Sequence, residues 1–234
     1  MRPVECGAWP LDSTGAAKAY VEYGDAQPDL YERLGDYCSY CELRVGDCMH
    51  VEHVLPKAVP RYQHLEVQWL NFLLACTRCN STKGHSDIDR ADYFWPDTDN
   101  TFRAFLYEHG GIVRVAPGLR PDDQQTAQRT LELTGIDRRP GHPSFDHKDR
   151  RWLERSNAWD KAVVALHNLR ANNTPELTAT IVDLARATGF WSVWMTVFQA
   201  EDALVARFIS AFPGTCAACF SASGSSQPRP PGSL

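Results

Sequence analysis

The sequence lacks any run of about 18 consecutive apolar residues, the length that a membrane-spanning helix requires. The N-terminal segment MRPVECGAWPLDSTG also lacks the apolar stretch of a secretory signal. We therefore expect a cytoplasmic protein with no membrane partner. In a reducing compartment, paired cysteines hold metal more often than they form disulfides, and this chain has eight cysteines.

An excess of basic residues is also missing. The chain has 24 Lys and Arg against 29 Asp and Glu, which gives a formal net charge of −5 at pH 7. This excludes a histone-like basic coat, so the phosphates of a nucleic acid would have to meet a local patch. Hydrophobic residues make up 43% and charged residues 23%, which excludes a disordered, collagen-like or coiled-coil chain. The length of 234 residues predicts one or two domains.

The sequence pattern changes along the chain and divides it into four segments. These are an N-terminal helical segment at 1–30, a segment rich in Cys, His and Asn at 31–100, a hairpin and helical region at 101–220, and a disordered Ser/Pro/Gly-rich tail at 221–234. Two helical pieces are predicted within 14–34 and a hairpin turn at His109–Gly111. Helices should follow from Pro121, from about Asp146 to Ala171, from Pro175, and over 190–212.

Two Cys-x-x-Cys pairs are separated by 34 residues, Cys38 with Cys41 and Cys76 with Cys79. Each pair can form a tight turn that directs two thiolates at one ion. Together they supply four sulfur ligands in a tetrahedron, which is the chemistry of a structural Zn²⁺ site. The alternative is four buried cysteines without a ligand.

Four cysteines lie outside these two pairs. Cys48 and His50 lie between the two pairs and could also ligate zinc. Cys216 and Cys219 form a third pair with no partner pair, and we interpret them as free thiols. Cys6 is isolated and receives no role.

Polar residues in a fixed order lie within or directly after the segment bounded by the two cysteine pairs, which we call the zinc frame. Glu52 and His53 are adjacent, Asn71 follows 18 residues after His53, and Asn80 comes directly after the last zinc cysteine. On these residues the segment at about 36–85 resembles the HNH endonuclease family in its zinc-stapled four-cysteine form. The resemblance implies an α+β fold with a ββα-metal core stapled by a four-cysteine zinc site, followed by the hairpin and a mainly helical C-terminal region.

The resemblance also implies a role for each of these residues. His53 matches the catalytic general base, and Asn71 matches the residue that braces the loop around the base. Glu52 and Asn80 match the two ligands of a catalytic ion. Because both ligands are oxygen donors, Mg²⁺ or Mn²⁺ is favoured over Zn²⁺ at this second site. A neutral histidine with an ordinary pKa near ~6.5 can accept a proton from the attacking water.

The resemblance extends beyond the zinc frame through the YFWPD run at 93–97, the hairpin, LELTGI, and the run Asp149–Arg151. This arrangement is similar to the HNH subunit of Septu and retron-associated anti-phage systems. It implies an ABC-type ATPase partner that gates the nuclease, and a role in bacterial defence.

Nucleic-acid contacts are predicted at Lys57, Lys83, Arg150 and Arg151. For the lysines, a solvated surface position is the alternative, and for the arginines a helix face with i,i+4 ion pairs. The apolar helix at 190–212 is either core or a surface that docks the partner.

Three functions remain open from the sequence. A metal-dependent endonuclease, with DNA as the favoured substrate, accounts for Glu52, His53 and Asn80. A non-catalytic zinc adaptor for nucleic acid or protein has no need of those residues. An autonomous restriction or homing nuclease would need a sequence-reading module, and none is recognisable.

Overall fold

The computed structural model describes residues 1–230 and residue 234. In this part of the chain, an α+β fold combines two small antiparallel hairpins with a helical C-terminal region, as the sequence predicts. The helices are Gln27–Leu34 (α1), Thr77–Lys83 (α2), Thr101–Ala104 (α3), Pro121–Thr134 (α4), Arg151–Ala171 (α5), Pro175–Thr188 (α6), Trp191–Val197 (α7) and Asp202–Ala211 (α8). The strands are Met49–His53 (β1), Phe72–Cys76 (β2), Phe105–Glu108 (β3) and Ile112–Val115 (β4). Within the described ranges, no helix is both long enough and apolar enough to cross a membrane.

Strands β1 and β2 and helix α2 form a continuous ββα unit. The strands pair antiparallel, with Met49 opposite Cys76 and His53 opposite Phe72. All five residues of β2 are buried, and both α1 and α2 contact this strand. Helix α2 begins directly after β2, because the Cys76 sulfur accepts a hydrogen bond from the Cys79 amide and so caps the first turn. The unit therefore places the end of β1, the end of β2 and all of α2 side by side.

The second hairpin joins β3 to β4 through the predicted turn at His109–Gly111. Gly110 and Gly111 have φ values of 78° and 69°, which glycine adopts without a steric penalty. A side chain on Gly111 would also collide with the backbone carbonyl of Trp152 on α5. The turn therefore needs glycine both for its shape and for its close approach to α5.

The apolar segment predicted as one helix at 190–212 forms two helices, α7 and α8. The chain turns between them so that Phe208 packs on both Trp194 and Phe198, with ring centroids 6.0 and 5.4 Å apart. All three aromatic side chains are fully buried. Of the two alternatives for this segment, core and docking surface, the aromatic side chains form core.

The first of the two helical pieces predicted within 14–34 is not helical. The Asp12 side chain accepts hydrogen bonds from the amides of Thr14 and Ala16, at 2.8 and 3.1 Å. These bonds hold a turn and compete with helix formation. The second piece is α1, which begins near Pro28 as predicted.

The tail predicted as disordered at 221–234 differs in the structure. Residues 221–230 lie against the body of the protein, where one Arg229 nitrogen donates to the Pro96 carbonyl at 3.1 Å. Residues 231–233 lie outside the described residues.

Candidate functional site

Four cysteine sulfurs meet where the loop after α1 packs on the ββα unit. Cys38 and Cys41 come from that loop, Cys76 ends β2, and Cys79 lies in α2. Their sulfur atoms all lie within 4.8 Å of one another, and all four residues are buried. This donor set fits a closed tetrahedral zinc site. In the described part of the chain, no other group of three or more His, Cys, Asp or Glu donors lies this close together.

The other candidate zinc ligands lie apart from the cluster. Cys48 is exposed. His50 is exposed on β1, where its Nε2 lies 3.0 Å from the Thr77 hydroxyl. Cys216 and Cys219 are buried in the C-terminal part of the chain. The Cys216 thiol donates to a carboxylate oxygen of Glu5, near the start of the chain, at 2.9 Å.

Arg151 lies against the cysteine cluster and is only 4% exposed. Its guanidinium donates to the Cys79 sulfur at 3.0 Å and forms an ion pair with Asp149. A cation at this distance offsets the negative charge that four thiolates would place on a zinc ion. This burial and pairing disfavour the predicted contact of Arg151 with nucleic acid. Arg150 is exposed and lies 3.9 Å from Glu154, so its nucleic-acid contact stays a prediction.

In the absence of a metal, burial and neighbouring thiols shift the pKa values of the cluster cysteines. Burial raises the pKa of Cys38 and Cys41 well above the usual thiol value. Hydrogen bonds from the neighbouring thiols lower the pKa of Cys76. A zinc ion entering the cluster would therefore have to displace protons from buried thiols, which makes zinc retention weaker in acid.

A cleft of about 200 Å³ opens beside the cysteine cluster. Its walls come from the end of β1, the loop that follows, and α2. Its lining includes Glu52, His53, Lys57, Asn80 and His85. The sequence spacing therefore brings the predicted base and both predicted ion ligands to one cavity.

His53 is held in one orientation within this cleft. Its Nε2 lies 2.9 Å from the Glu66 carbonyl, and its ring packs edge-on against Tyr23 and Phe72 at 5.0 and 5.3 Å between centroids. Because a carbonyl oxygen can only accept, Nε2 carries the proton in the neutral ring and Nδ1 keeps a free lone pair. Burial lowers the pKa of His53 below its usual value, which favours this neutral form.

Asn71 is buried directly before β2 and ties down the loop that follows His53. Its Oδ1 accepts from the Leu55 amide at 2.8 Å, and its Nδ2 donates to the Leu55 carbonyl at 3.0 Å. The Asn71 carbonyl also accepts from the Val54 amide at 2.9 Å. These three bonds fit the bracing role that the sequence predicts, because an amide can orient but cannot transfer a proton at neutral pH.

Glu52 is buried and is held by two partners. Lys83 lies 2.9 Å from Glu52 Oε1, and the Tyr40 hydroxyl donates to the same oxygen at 3.4 Å. Burial raises the pKa of the Glu52 carboxyl, and the Lys83 ammonium opposes that rise. Lys83 itself is 3% exposed, and this burial disfavours the predicted contact with a nucleic-acid phosphate.

The cleft also fits a divalent ion by its donor chemistry. Both partners of Glu52 contact Oε1, which leaves Oε2 as the carboxylate oxygen for a ligand. Asn80 lies on α2 and lines the same cleft. One carboxylate and one amide oxygen form an incomplete oxygen set of the kind that Mg²⁺ or Mn²⁺ completes with water and phosphate.

Sequence reasoning missed two aromatic residues at the cleft. Tyr23 packs on His53 and also lies 3.9 Å from the Lys57 ammonium, in a cation–π contact. His85 follows Gly84, which ends α2 at φ 61°, so the turn brings this ring into the cleft lining. No motif spacing indicates Tyr23, because it lies outside the zinc frame in the sequence.

Two comparisons with known proteins agree with this geometry. Residues 38–86 match the family model for HNH endonucleases. A segment of 84 residues is 38% identical to the Septu protein PtuB of Bacillus thuringiensis. That similarity covers 33% of this chain and 32% of the relative, so the chain spans about a third of the length of the curated relative it matches.

Proposed function

From the HNH endonuclease domain that residues 38–86 form, we propose that this chain is a metal-dependent endonuclease that hydrolyses phosphodiester bonds in nucleic acid. DNA is the favoured substrate. The observation that carries the proposal is the gathering of Glu52, His53 and Asn80 around one cleft, next to the buried four-cysteine cluster. A zinc adaptor without catalysis has no use for an oriented neutral histidine in a cavity.

The chain's own residues divide the chemistry among them. His53 accepts the proton of the attacking water at Nδ1, and its Nε2–H remains bound to the Glu66 carbonyl. Asn71 keeps the loop after β1 in place, so that the imidazole does not swing away from the substrate phosphate. Glu52 and Asn80 would hold the divalent ion. When bound, this ion supplies Lewis-acid stabilisation of the charge on phosphorus and on the leaving oxygen.

Lys57 stands at the rim of the cleft. Its side chain is 36% exposed and lies 2.6 Å from a Glu66 carboxylate oxygen. An exposed ion pair of this kind is worth little, so a phosphate can replace Glu66 as the partner of the ammonium. Lys57 therefore remains a proposed nucleic-acid contact in the cleft lining.

Glu52→Gln should remove nuclease activity that wild-type protein shows with Mg²⁺ or Mn²⁺. Glutamine has nearly the same shape but no charge to hold the ion. The measurement is the conversion of supercoiled plasmid to nicked and linear forms, with EDTA as the blank. Cleavage by Glu52→Gln at the wild-type rate would remove Glu52 from the ion site.

The pH dependence of cleavage should reflect the lowered pKa of His53. A base with a depressed pKa is already unprotonated at neutral pH, so the rate should be nearly flat from about pH 7 to 8. The rate should fall only in acid, below the ordinary histidine value of about 6.5, as the imidazole takes up a proton. Initial rates at constant ionic strength test this, and a half-maximal point above the ordinary value would contradict it.

We also propose a role for the chain in bacterial anti-phage defence, as an effector gated by an ABC-type ATPase. The similarity to a Septu protein and the net charge of −5 support this, because nucleic-acid binders that act alone usually carry a basic face. The aromatic side chains of the 190–212 segment are buried, so they are not part of the proposed docking surface.

Cleavage should be weak with the isolated chain and should increase when the ATPase is co-expressed and co-purified with it. The comparison has to be made at a single salt concentration, because phosphate contacts make the rates depend on salt. Strong cleavage at physiological salt without a partner would instead support an autonomous nuclease.

A further inference from the structure

The cleft of the proposed nuclease holds an unusual balance of charge. Among the described residues that line it, Glu52 carries the one carboxylate. The Lys83 ammonium lies 2.9 Å from that carboxylate, and the two side chains are 1% and 3% exposed, for Lys83 and Glu52. The negative charge that would attract a divalent ion is thus already paired with a buried positive charge.

Lys83 is fixed at this position by more than one contact. Its ammonium also donates to the His53 backbone carbonyl at 2.8 Å, so it connects α2 to the last residue of β1. Moving Lys83 away would leave a buried ammonium and a buried carboxylate without partners, which is strongly unfavourable. Lys83 is therefore a fixed, buried partner of Glu52 and not a surface lysine that moves aside for an ion.

The remaining groups do not restore a negative charge. Lys57 at the rim is balanced by Glu66, which lies 2.6 Å away. Asn80, the other proposed ligand, is neutral. The protein alone therefore offers a divalent ion two oxygen donors and no net negative charge, whereas Mg²⁺ sites in proteins combine carboxylates with substrate phosphate.

We propose that Lys83 makes ion binding depend on nucleic-acid phosphate, so that the divalent ion and the phosphate enter the cleft together. The phosphate supplies both the missing charge and further oxygen ligands. Lys83 acts as a positioning residue, because it holds Glu52 Oε1 and leaves Oε2 for the ion. This inference rests on the proposed nuclease function, and it adds that the free chain binds the ion weakly.

The test is a titration of Mn²⁺ into the full chain carrying His53→Ala, which retains both proposed ligands but should not cleave. Free Mn²⁺ is followed by electron paramagnetic resonance, with and without a short DNA duplex at one salt concentration. A second chain carrying His53→Ala and Glu52→Gln measures the Mn²⁺ that DNA phosphates bind without the site. We expect Mn²⁺ to bind at least about tenfold more tightly with DNA, and DNA to bind more tightly with Mn²⁺ by the same factor.

The role of Lys83 is tested in variants of this residue. The quantity compared is the ratio of the Mn²⁺ affinity with DNA to the Mn²⁺ affinity without DNA. Lys83→Arg keeps the positive charge and should keep the ratio, whereas Lys83→Met should bring it towards one. Zinc content and circular dichroism establish that each variant is folded. An unchanged ratio in folded Lys83→Met would overturn the role of Lys83.

The first titration needs no Lys83 variant, so it can overturn the inference even where Lys83→Met does not fold. Equal Mn²⁺ affinity with and without DNA, in a protein whose wild-type form cleaves DNA, would overturn this inference and leave the nuclease intact. Absence of Mn²⁺ binding at Glu52 under both conditions would instead overturn the proposed metal-dependent function.

Discussion

Replacing His53 by alanine should lower phosphodiester cleavage by at least about a hundredfold, and within the detection limit of a plasmid assay should abolish it. The structure offers the reason. His53 Nε2 is bound to the Glu66 carbonyl, so Nδ1 is left with a free lone pair in the cleft. Burial keeps the ring neutral, and no other imidazole in the described cleft lining has this orientation fixed by a backbone carbonyl.

The measurement compares wild-type protein, His53→Ala and a matched histidine control, with Mg²⁺ or Mn²⁺ and with any ATPase partner. His167→Ala is the control, because His167 is exposed on α5 and lies outside the cleft. Zinc content and the unfolding midpoint should stay at wild-type values in both variants. Wild-type turnover by a pure preparation of His53→Ala would contradict the mechanism.

Replacing Cys76 by serine should cause the largest loss of folded protein. Cys76 connects three features, since it ends β2, caps α2 through its sulfur, and lies in the four-cysteine cluster. Structural zinc contributes on the order of 10 kcal/mol or more to folding, which exceeds the whole stability of many domains. Cys76→Ser should therefore lose zinc, soluble yield and nuclease activity together.

Cys216→Ser is the matched control for this variant. Cys216 is buried like Cys76, but its thiol donates to Glu5, and a serine hydroxyl can make the same bond. Elemental analysis should give one zinc per chain for wild-type protein and Cys216→Ser, and less than one for Cys76→Ser. Two zinc ions per wild-type chain would show that Cys216 and Cys219 also hold metal.

The amino-acid sequence was sufficient to predict the features that local spacing controls. Two Cys-x-x-Cys pairs can each form a tight turn whatever lies between them, and the structure brings all four sulfurs together. The turn at His109–Gly111 and the helix after Pro121 also follow from local residue preferences, and both are present. The order of Glu52, His53, Asn71 and Asn80 indicated a nuclease, and residues 38–86 match that family model.

The partners of buried charged side chains could not be predicted from local spacing. Lys83 and Arg151 look like solvated basic residues in the sequence, yet one is buried against Glu52 and the other against Cys79. Neighbours along the chain do not reveal such pairs, because their partners lie 31 and 72 residues away in sequence and meet only when the chain folds. Apolar periodicity likewise could not separate core from docking surface at 190–212.

The sequence therefore determined which chemical groups the chain brings to the proposed site, since thiol, carboxylate, imidazole and amide side chains follow one another at recognisable intervals. Tertiary packing determined the burial, the ion pairing and the protonation of those groups. Packing of α2 on β1 pairs the proposed metal-binding carboxylate of Glu52 with the Lys83 ammonium, and the packing of Tyr23 and Phe72 on His53 favours the neutral form of the proposed base. Electrostatic energies depend on distance and on the exclusion of water, and both quantities arise only once segments distant in sequence come into contact.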